Sequence, residues 1–259
     1  MDTKVIDKEL IATVPRFLRF KSADDLVRVG KANDGGYLIS QSDIERTNWL
    51  IGLGLGYDWS FERDFLRSKN VPLHVYDASV HFRHFFRNCY LDLVRLNLWG
   101  CLYNLLTAYR YKAFFRGSRV HRRLFISDSQ SGDSISLAEV LTRSGAQNIF
   151  LKIDIEGGEY RILDTLVEFE SRISGLVVEF HDCDLHLDRI ERFVSSFPLK
   201  VVHVHANNYA ELNPRTQIPL VLEVSFSRYA KLKNEAEVPH RLDRPNNKRA
   251  KDFRLILPK

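Results

Sequence analysis

The run FLKIDIEGGE (150–159) holds three acids in close spacing, Asp154, Glu156 and Glu159, with Gly157-Gly158 between the last two. On an extended strand alternate side chains share a face, so Asp154 and Glu156 are expected to point the same way. Paired carboxylates stay ionised only beside a cation, strong hydrogen-bond donors or solvent; otherwise one takes up a proton. The glycine pair permits a sharp exit toward a following helix, with Glu159 near that helix's positive end. The plainer reading is a solvated acidic loop and a helix cap. A second spacing, Gly52-Leu53-Gly54-Leu55-Gly56, directly follows an apolar run. Such a turn lets the backbone approach a ligand closely and presents amide groups at a helix start. The dinucleotide fingerprint G-x-G-x-x-G would need its third glycine where Tyr57 stands, which disfavours NAD. Asp77 ends the next apolar run, the usual place for an acid that accepts hydrogen bonds from ribose hydroxyls, although a strand-end Asp is often only a helix cap.

Two histidines stand at the ends of later apolar runs, His181 after VVEF and His205 in VHVH. An unperturbed imidazole titrates near neutrality, so either could take a proton from a reacting hydroxyl, or either could be structural. Asp154, Glu179, His181 and His205 together offer the oxygen and nitrogen ligands that suit a divalent cation, which would lower the pKa of a bound hydroxyl. Metal-assisted and bare-base chemistry, with Asp154, His181 and His205 as the catalytic candidates, both remain open.

These residues must be positioned by elements, and periodicity names them. NWLIGLG (48–54), PLHVYD (72–77), RLFIS (123–127), NIFLKID (148–154), ISGLVVEF (173–180), LKVVHVH (199–205) and PLVLEVSF (219–226) read as buried strands. SFERDFLRSK, SISLAEVLTRSG with Gly145 as its stop, EYRILDTLVEFESR, and LDRIERFVSSF ended by Pro198 read as helices between them. The alternation predicts an α/β fold, a Rossmann-like, mostly parallel sheet with helices on both faces. The last two strands, joined without a helical pattern, are expected to be antiparallel. FRLIL near the end is expected to add a short edge strand. Ligands of such sheets sit beyond the carboxyl ends of the strands, where the acids, glycines and histidines cluster.

LKIDIEGGEYRIL (151–163) resembles the signature of FkbM-type methyltransferases. VRVGKANDGGYLI (27–39), IGLGLGYDWSFERDF (51–65) and the pair VVEFHD (177–182) with VHVHANNYAEL (202–212) are similar to the same family, especially its methyltransferase-like-protein branch. The resemblance implies a class I methyltransferase fold, S-adenosylmethionine as donor and an oxygen acceptor, usually a hydroxyl of a glycan, glycolipid or natural product. The expected cofactor contacts are Gly52, Gly54, Gly56, Asp77 and Asp128. Where many class I enzymes have an acid two residues before the first glycine, this chain has Leu50. That departure keeps a catalytically silent Rossmann-like binding module in view, against which the retained acids Asp77, Asp154 and Glu156 argue.

The chain has 259 residues, 44% hydrophobic and 27% charged, with a mean hydropathy of −0.25, enough apolar material for a sizeable core in one domain. No run reaches the roughly 18 apolar residues of a membrane span, and MDTKVIDKELIATVPRF lacks the apolar centre of a signal peptide, so a cytoplasmic protein is expected. Cys89, Cys101 and Cys183 lack C-x2-4-C spacing and are expected to be reduced structural thiols. Residues 81–123 stand apart: nine Lys and Arg against the single acid Asp92 give a net of +8, leaving −3 for everything else. This basic, aromatic stretch is read as a helical insertion in the single domain. Leu91, Val94, Leu98, Leu102, Leu105 and Leu106 follow helical spacing, which fits a lid packed on the core, a cap that grips an anionic acceptor, or a helix lying peripherally on an anionic membrane. No nucleic-acid-binding motif is present, and no such partner is expected.

Overall fold

The computed structural model describes residues 10–129 and 132–258; the first nine residues of the stretch read for a leader lie outside the described residues. In chain order the elements are β1 (Leu10–Thr13), β2 (Leu26–Gly30), β3 (Gly36–Ser40), α1 (Gln41–Arg46), β4 (Trp49–Leu53), α2 (Ser60–Ser68), β5 (Leu73–Tyr76), α3 (Phe82–Val94), α4 (Leu98–Phe114) and β6 (Arg119–Arg122). There follow β7 (Phe125–Ser127), β8 (Ser134–Ser136), α5 (Leu137–Ser144), β9 (Ile149–Ile153), α6 (Leu163–Glu168), β10 (Ile173–Phe180), α7 (Leu187–Ser196), β11 (Lys200–Ala206), β12 (Leu222–Ser227) and β13 (Phe253–Ile256).

Seven strands form the central sheet in the order β11-β12-β10-β9-β4-β5-β6. β4, β5, β6, β9 and β10 pair in parallel, while β12 runs antiparallel to both β10 and β11. Strand alternation divides the core between two faces. Ile51, Leu53, Leu151 and Val178 meet α5, α6 and α7 on one face. Leu50, Phe150 and Val177 meet α1, α2 and β3 on the other, where Phe65 and Phe150 pack with ring centroids 5.1 Å apart. Gly145 ends α5 as expected, with a left-handed φ of 61°, and at its start the Ser136 side chain accepts from the Glu139 amide.

Several expectations need correction. The basic segment is not helical throughout: its end, Arg119–Arg122, is the edge strand beside β5, and RLFIS breaks so that Phe125–Ser127 leaves the main sheet to pair with β8. The helical part is a pair, α3 and α4. The six apolar residues at helical spacing are each at least 40% exposed, so of the three readings of that stripe the lid packed on the core is not what forms. Cys89 and Cys101 are joined by a disulfide between these helices, because the hairpin brings together positions that a spacing of 12 does not mark as a pair; Cys183 is free and buried. EYRILDTLVEFESR holds only six α-helical residues, flanked by 3-10 turns. FRLIL does form a strand, but β13 pairs with β1 in its own two-stranded sheet. The β2–β3 hairpin, unmarked by periodicity, packs on the sheet face that carries Leu50, Phe150 and Val177. No helix among the described residues is long and apolar enough to cross a membrane.

Candidate active site

The sheet reverses its order at β4: β5 and β6 extend to one side, and β9 returns on the other. This switch point, beyond the carboxyl ends of the strands, is where open α/β sheets bind ligands. A cleft of about 970 Å³ opens there. Its floor is the glycine turn after β4. Gly54 has φ 82°, and a Cβ there would lie 1.6 Å from the Asp154 carbonyl oxygen, so only glycine allows the two loops to meet. A Cβ on Gly56 (φ 54°) would meet nothing within 4 Å, since that side of the turn is open. The Leu55 and Gly56 amides donate to Asp77 Oδ2 at 2.8 and 2.9 Å, and the Ser79 amide and hydroxyl donate to Oδ1 at 2.8 and 2.6 Å. Burial raises the Asp77 pKa, but these four bonds outweigh it and hold the carboxyl below its usual range. Asp77 is therefore both a loop cap and an ionised wall of the cleft. Leu50, the departure noted in the sequence, is wholly buried in the core.

The polar wall follows from strand alternation. Lys152 shares its face with Gly52 and Glu179, looking toward α2, so this lysine is buried in the cleft wall beside Glu62. Its Nζ donates to the Gly54 carbonyl (3.0 Å) and to Asp154 Oδ2 (3.2 Å). Burial works against its charge, yet Asp154 and Glu62 outweigh burial and raise its pKa. Burial pushes Glu62 up to about 7. Lys152 and Glu62 were not singled out in the sequence; the alternation in LKIDI was the signal for Lys152.

Asp154, Glu156 and His181 each bring one ligand atom within 4.8 Å of the others. They meet although β9 ends at Ile153, because Glu156 adopts a left-handed φ of 52° and turns the chain back. Glu159 does not simply cap a helix: it is fully buried, and its Oε1 accepts from the amides of Ile155 (3.0 Å) and Gly157 (3.3 Å) and from His181 Nδ1 (3.1 Å). That bond leaves His181 Nε2 facing Glu156 Oε2 at 3.5 Å and Glu179 Oε1 at 4.0 Å. Burial opposes the imidazolium, but Glu159, Glu179 and Asp154 outweigh it and raise the His181 pKa.

No family model matches the sequence, and no curated protein matches it. Among solved structures, a protein described as a sarcosine dimethylglycine methyltransferase from Galdieria sulphuraria is similar over 72% of this chain and 80% of its own, at 10% identity and a TM-score of 0.35. A mutant form of a 16S rRNA (adenine(1408)-N(1))-methyltransferase from Catenulisporales acidiphilia is similar over 80% of this chain and all of its own, at 9% identity and a TM-score of 0.33. The fold itself is a seven-stranded α/β sheet, parallel but for β12.

Three candidates from the sequence fall outside the cleft, and a fourth is tied up within it. Gly52 is buried inside β4, where a Cβ would meet Glu62 Oε1 at 3.0 Å, and does not line the cleft. His205 does not line it, since β12 intervenes between β10 and β11 and carries His205 away from His181. Its ring instead bridges Glu223 (3.4 Å) and Asp252 (3.3 Å), which outweigh burial and raise its pKa to about 10. Both ring nitrogens of His205 face carboxylates away from the cleft, so it does not share a ligand or a proton with the groups that line it. Asp128 is exposed and takes hydrogen bonds from Ser127 and Ser129; the departure of β7 from the sheet turns it outward. Glu179 does line the cleft but accepts from Tyr37 (2.9 Å) and Asn207 (2.8 Å), and burial raises its pKa. The candidate cation ligands are thus Asp154, Glu156 and His181 rather than the four residues expected.

Proposed function

We propose that this protein is an S-adenosylmethionine-dependent O-methyltransferase that methylates a hydroxyl of a glycan or glycolipid. The observation that carries the reading is the cleft at the switch point, floored by the Gly54–Gly56 turn and Asp77 and walled by Asp154, Glu156 and His181. The open side of Gly56 and the close approach at Gly54 fit a nucleoside lying against the backbone, and ionised Asp77 suits its ribose hydroxyls. S-adenosylmethionine, when bound, supplies an electrophilic methyl group on a sulfonium. The acids of the cleft favour such a cation. The glycan class of acceptor rests on the resemblance of four sequence stretches to FkbM-type enzymes.

The acceptor must lose a proton as oxygen attacks in line. His181, held by Glu159 among three further carboxyls, favours its protonated form and is a weak base by itself. The same excess of negative charge suits a divalent cation, which Asp154, Glu156 and His181 Nε2 would hold; it would lower the pKa of the acceptor hydroxyl there. Glu159 would fix the imidazole with Nε2 outward, as second-shell carboxylates do.

Calorimetry with S-adenosylmethionine tests the cofactor, and transfer of labelled methyl to a panel of glycans and glycolipids tests the acceptor. Wild type is expected to bind the donor and Gly54→Ala to lose binding. Turnover is expected to fall with chelator and return with Mg²⁺ or Mn²⁺. Absence of donor binding, or preference for NAD, defeats the reading; turnover unaffected by chelation defeats only its metal component.

A further inference from the structure

The α3–α4 hairpin turns large apolar side chains to solvent. Leu96, Leu98 and Trp99 at its turn are 87%, 68% and 82% exposed, and Tyr90, Tyr103 and Tyr109 along its sides are all more than 60% exposed. Large apolar side chains exposed together on one hairpin mark an interaction face. With helices of 13 and 17 residues, the hairpin reaches about 20–25 Å from its foot.

Charge is sorted along that length. Arg83 and Arg87 lie in the first half of α3, Arg110 and Lys112 near the end of α4 and Arg116 just past it, so cations gather toward the foot while Arg95 alone stands at the turn. Among the described residues, no Lys or Arg of 81–123 is ion-paired with a carboxylate. The segment's one acid, Asp92, is occupied inside the turn by the Asn97 (3.1 Å) and Asn104 (2.8 Å) side-chain amides.

We infer that the α3–α4 hairpin docks this protein on an anionic lipid bilayer, its turn entering the acyl boundary and its basic foot meeting lipid phosphates. The gradient from Leu and Trp through Tyr to Arg and Lys follows the polarity of a membrane leaflet from acyl chain to headgroup. Charge complementarity selects this occupant. A second copy docked in parallel through the same face would set one basic foot against another, whereas a layer of lipid phosphates meets every foot cation with opposite charge. The Cys89–Cys101 disulfide ties the helices together, so little ordering is needed on insertion. Tyr57, a wall residue of the cleft, stacks on His84 (4.8 Å) and packs edge-on to Phe85 (5.6 Å), so the foot of the hairpin borders the cleft mouth. The inference does not rest on methyl transfer.

Cosedimentation of the full chain with vesicles of phosphatidylcholine, with and without about 30% phosphatidylserine, provides the test. Binding is expected to the anionic vesicles and to be weaker by at least about tenfold on the neutral ones or in high salt. Each foot cation contributes about fivefold, so Arg110→Ser, Lys112→Ser and Arg116→Ser together should weaken binding about 100-fold. Leu98→Ser with Trp99→Ser should weaken it at least about tenfold. Circular dichroism and melting temperature of both variants are expected to match wild type, which separates lost docking from lost fold. Failure of wild type to bind anionic vesicles overturns the inference, as does binding that folded turn variants retain. A wild-type dimer in analytical ultracentrifugation that the turn substitutions dissolve, without vesicle binding, would overturn it in favour of self-association.

Discussion

Glu159, with no solvent exposure, joins the loop after β9 to His181: one oxygen takes both loop amides and the imidazole Nδ1. The sequence marks it as the acid after two glycines, but only the fold-back through Glu156 and Gly157, both at positive φ, aims it at a histidine 22 positions away. Removing its charge while keeping its shape tests this positioning role. Glu159→Gln is expected to lower turnover about 10–100-fold, the usual effect of losing a second-shell carboxylate, while donor affinity stays within about twofold. Steady-state kinetics beside donor calorimetry reads the split. Equal loss in both would mean that Glu159 holds the loop rather than the imidazole. Asp154 and Glu156 were legible because strand-end acids before a glycine pair form a local pattern. The partnership of Lys152 with Glu62 was not, since it depends on α2 crossing the sheet face that strand alternation turns toward it.

At the level of elements, β12 decides which histidine reaches the cleft. It pairs His205 with Glu223 across the strands, and Asp252 from the C-terminal segment closes the other side of the ring. The folded pKa of His205 is raised to about 10, above the ordinary 6.5. Its contribution to stability is therefore complete below about pH 6.5 and lost as pH rises through 10. Between those limits, the loss approaches about 1.4 kcal/mol per pH unit for one fully linked proton, an upper bound for this site. His205→Gln is expected to be less stable than wild type at about pH 6 and to converge on it by about pH 10, read by urea unfolding at several pH values. Parallel curves at a constant offset would assign the histidine to packing alone. The sequence could not supply this, because HVH reads the same whether the adjacent strand is β10 or β12.

For the whole molecule, charge is divided between an acidic cleft and a basic hairpin, and donor binding at the cleft should act on the entire domain. The glycine turn, Asp77 and the β9 loop belong to different strands, so a ligand that bridges them stabilises the folded state. S-adenosylmethionine at about 100 times its dissociation constant is expected to add about 2.7 kcal/mol and to raise the melting temperature by roughly 5–10 °C in differential scanning calorimetry. An unchanged melting temperature at that excess would remove the cleft as donor site. The sequence by itself determined the mostly parallel α/β sheet, the antiparallel last pair, the glycine turn with Asp77, and the acids that follow β9. Each is written in short-range periodicity or in a strand-end pattern that one residue's neighbours impose. Tertiary structure alone decided that β12 would part His205 from His181, that Asp128 would turn outward and that the apolar stripe of residues 91–106 would face solvent. Those outcomes depend on which elements become neighbours, and pairing between distant segments is set by the burial of the whole sheet rather than by any local spacing.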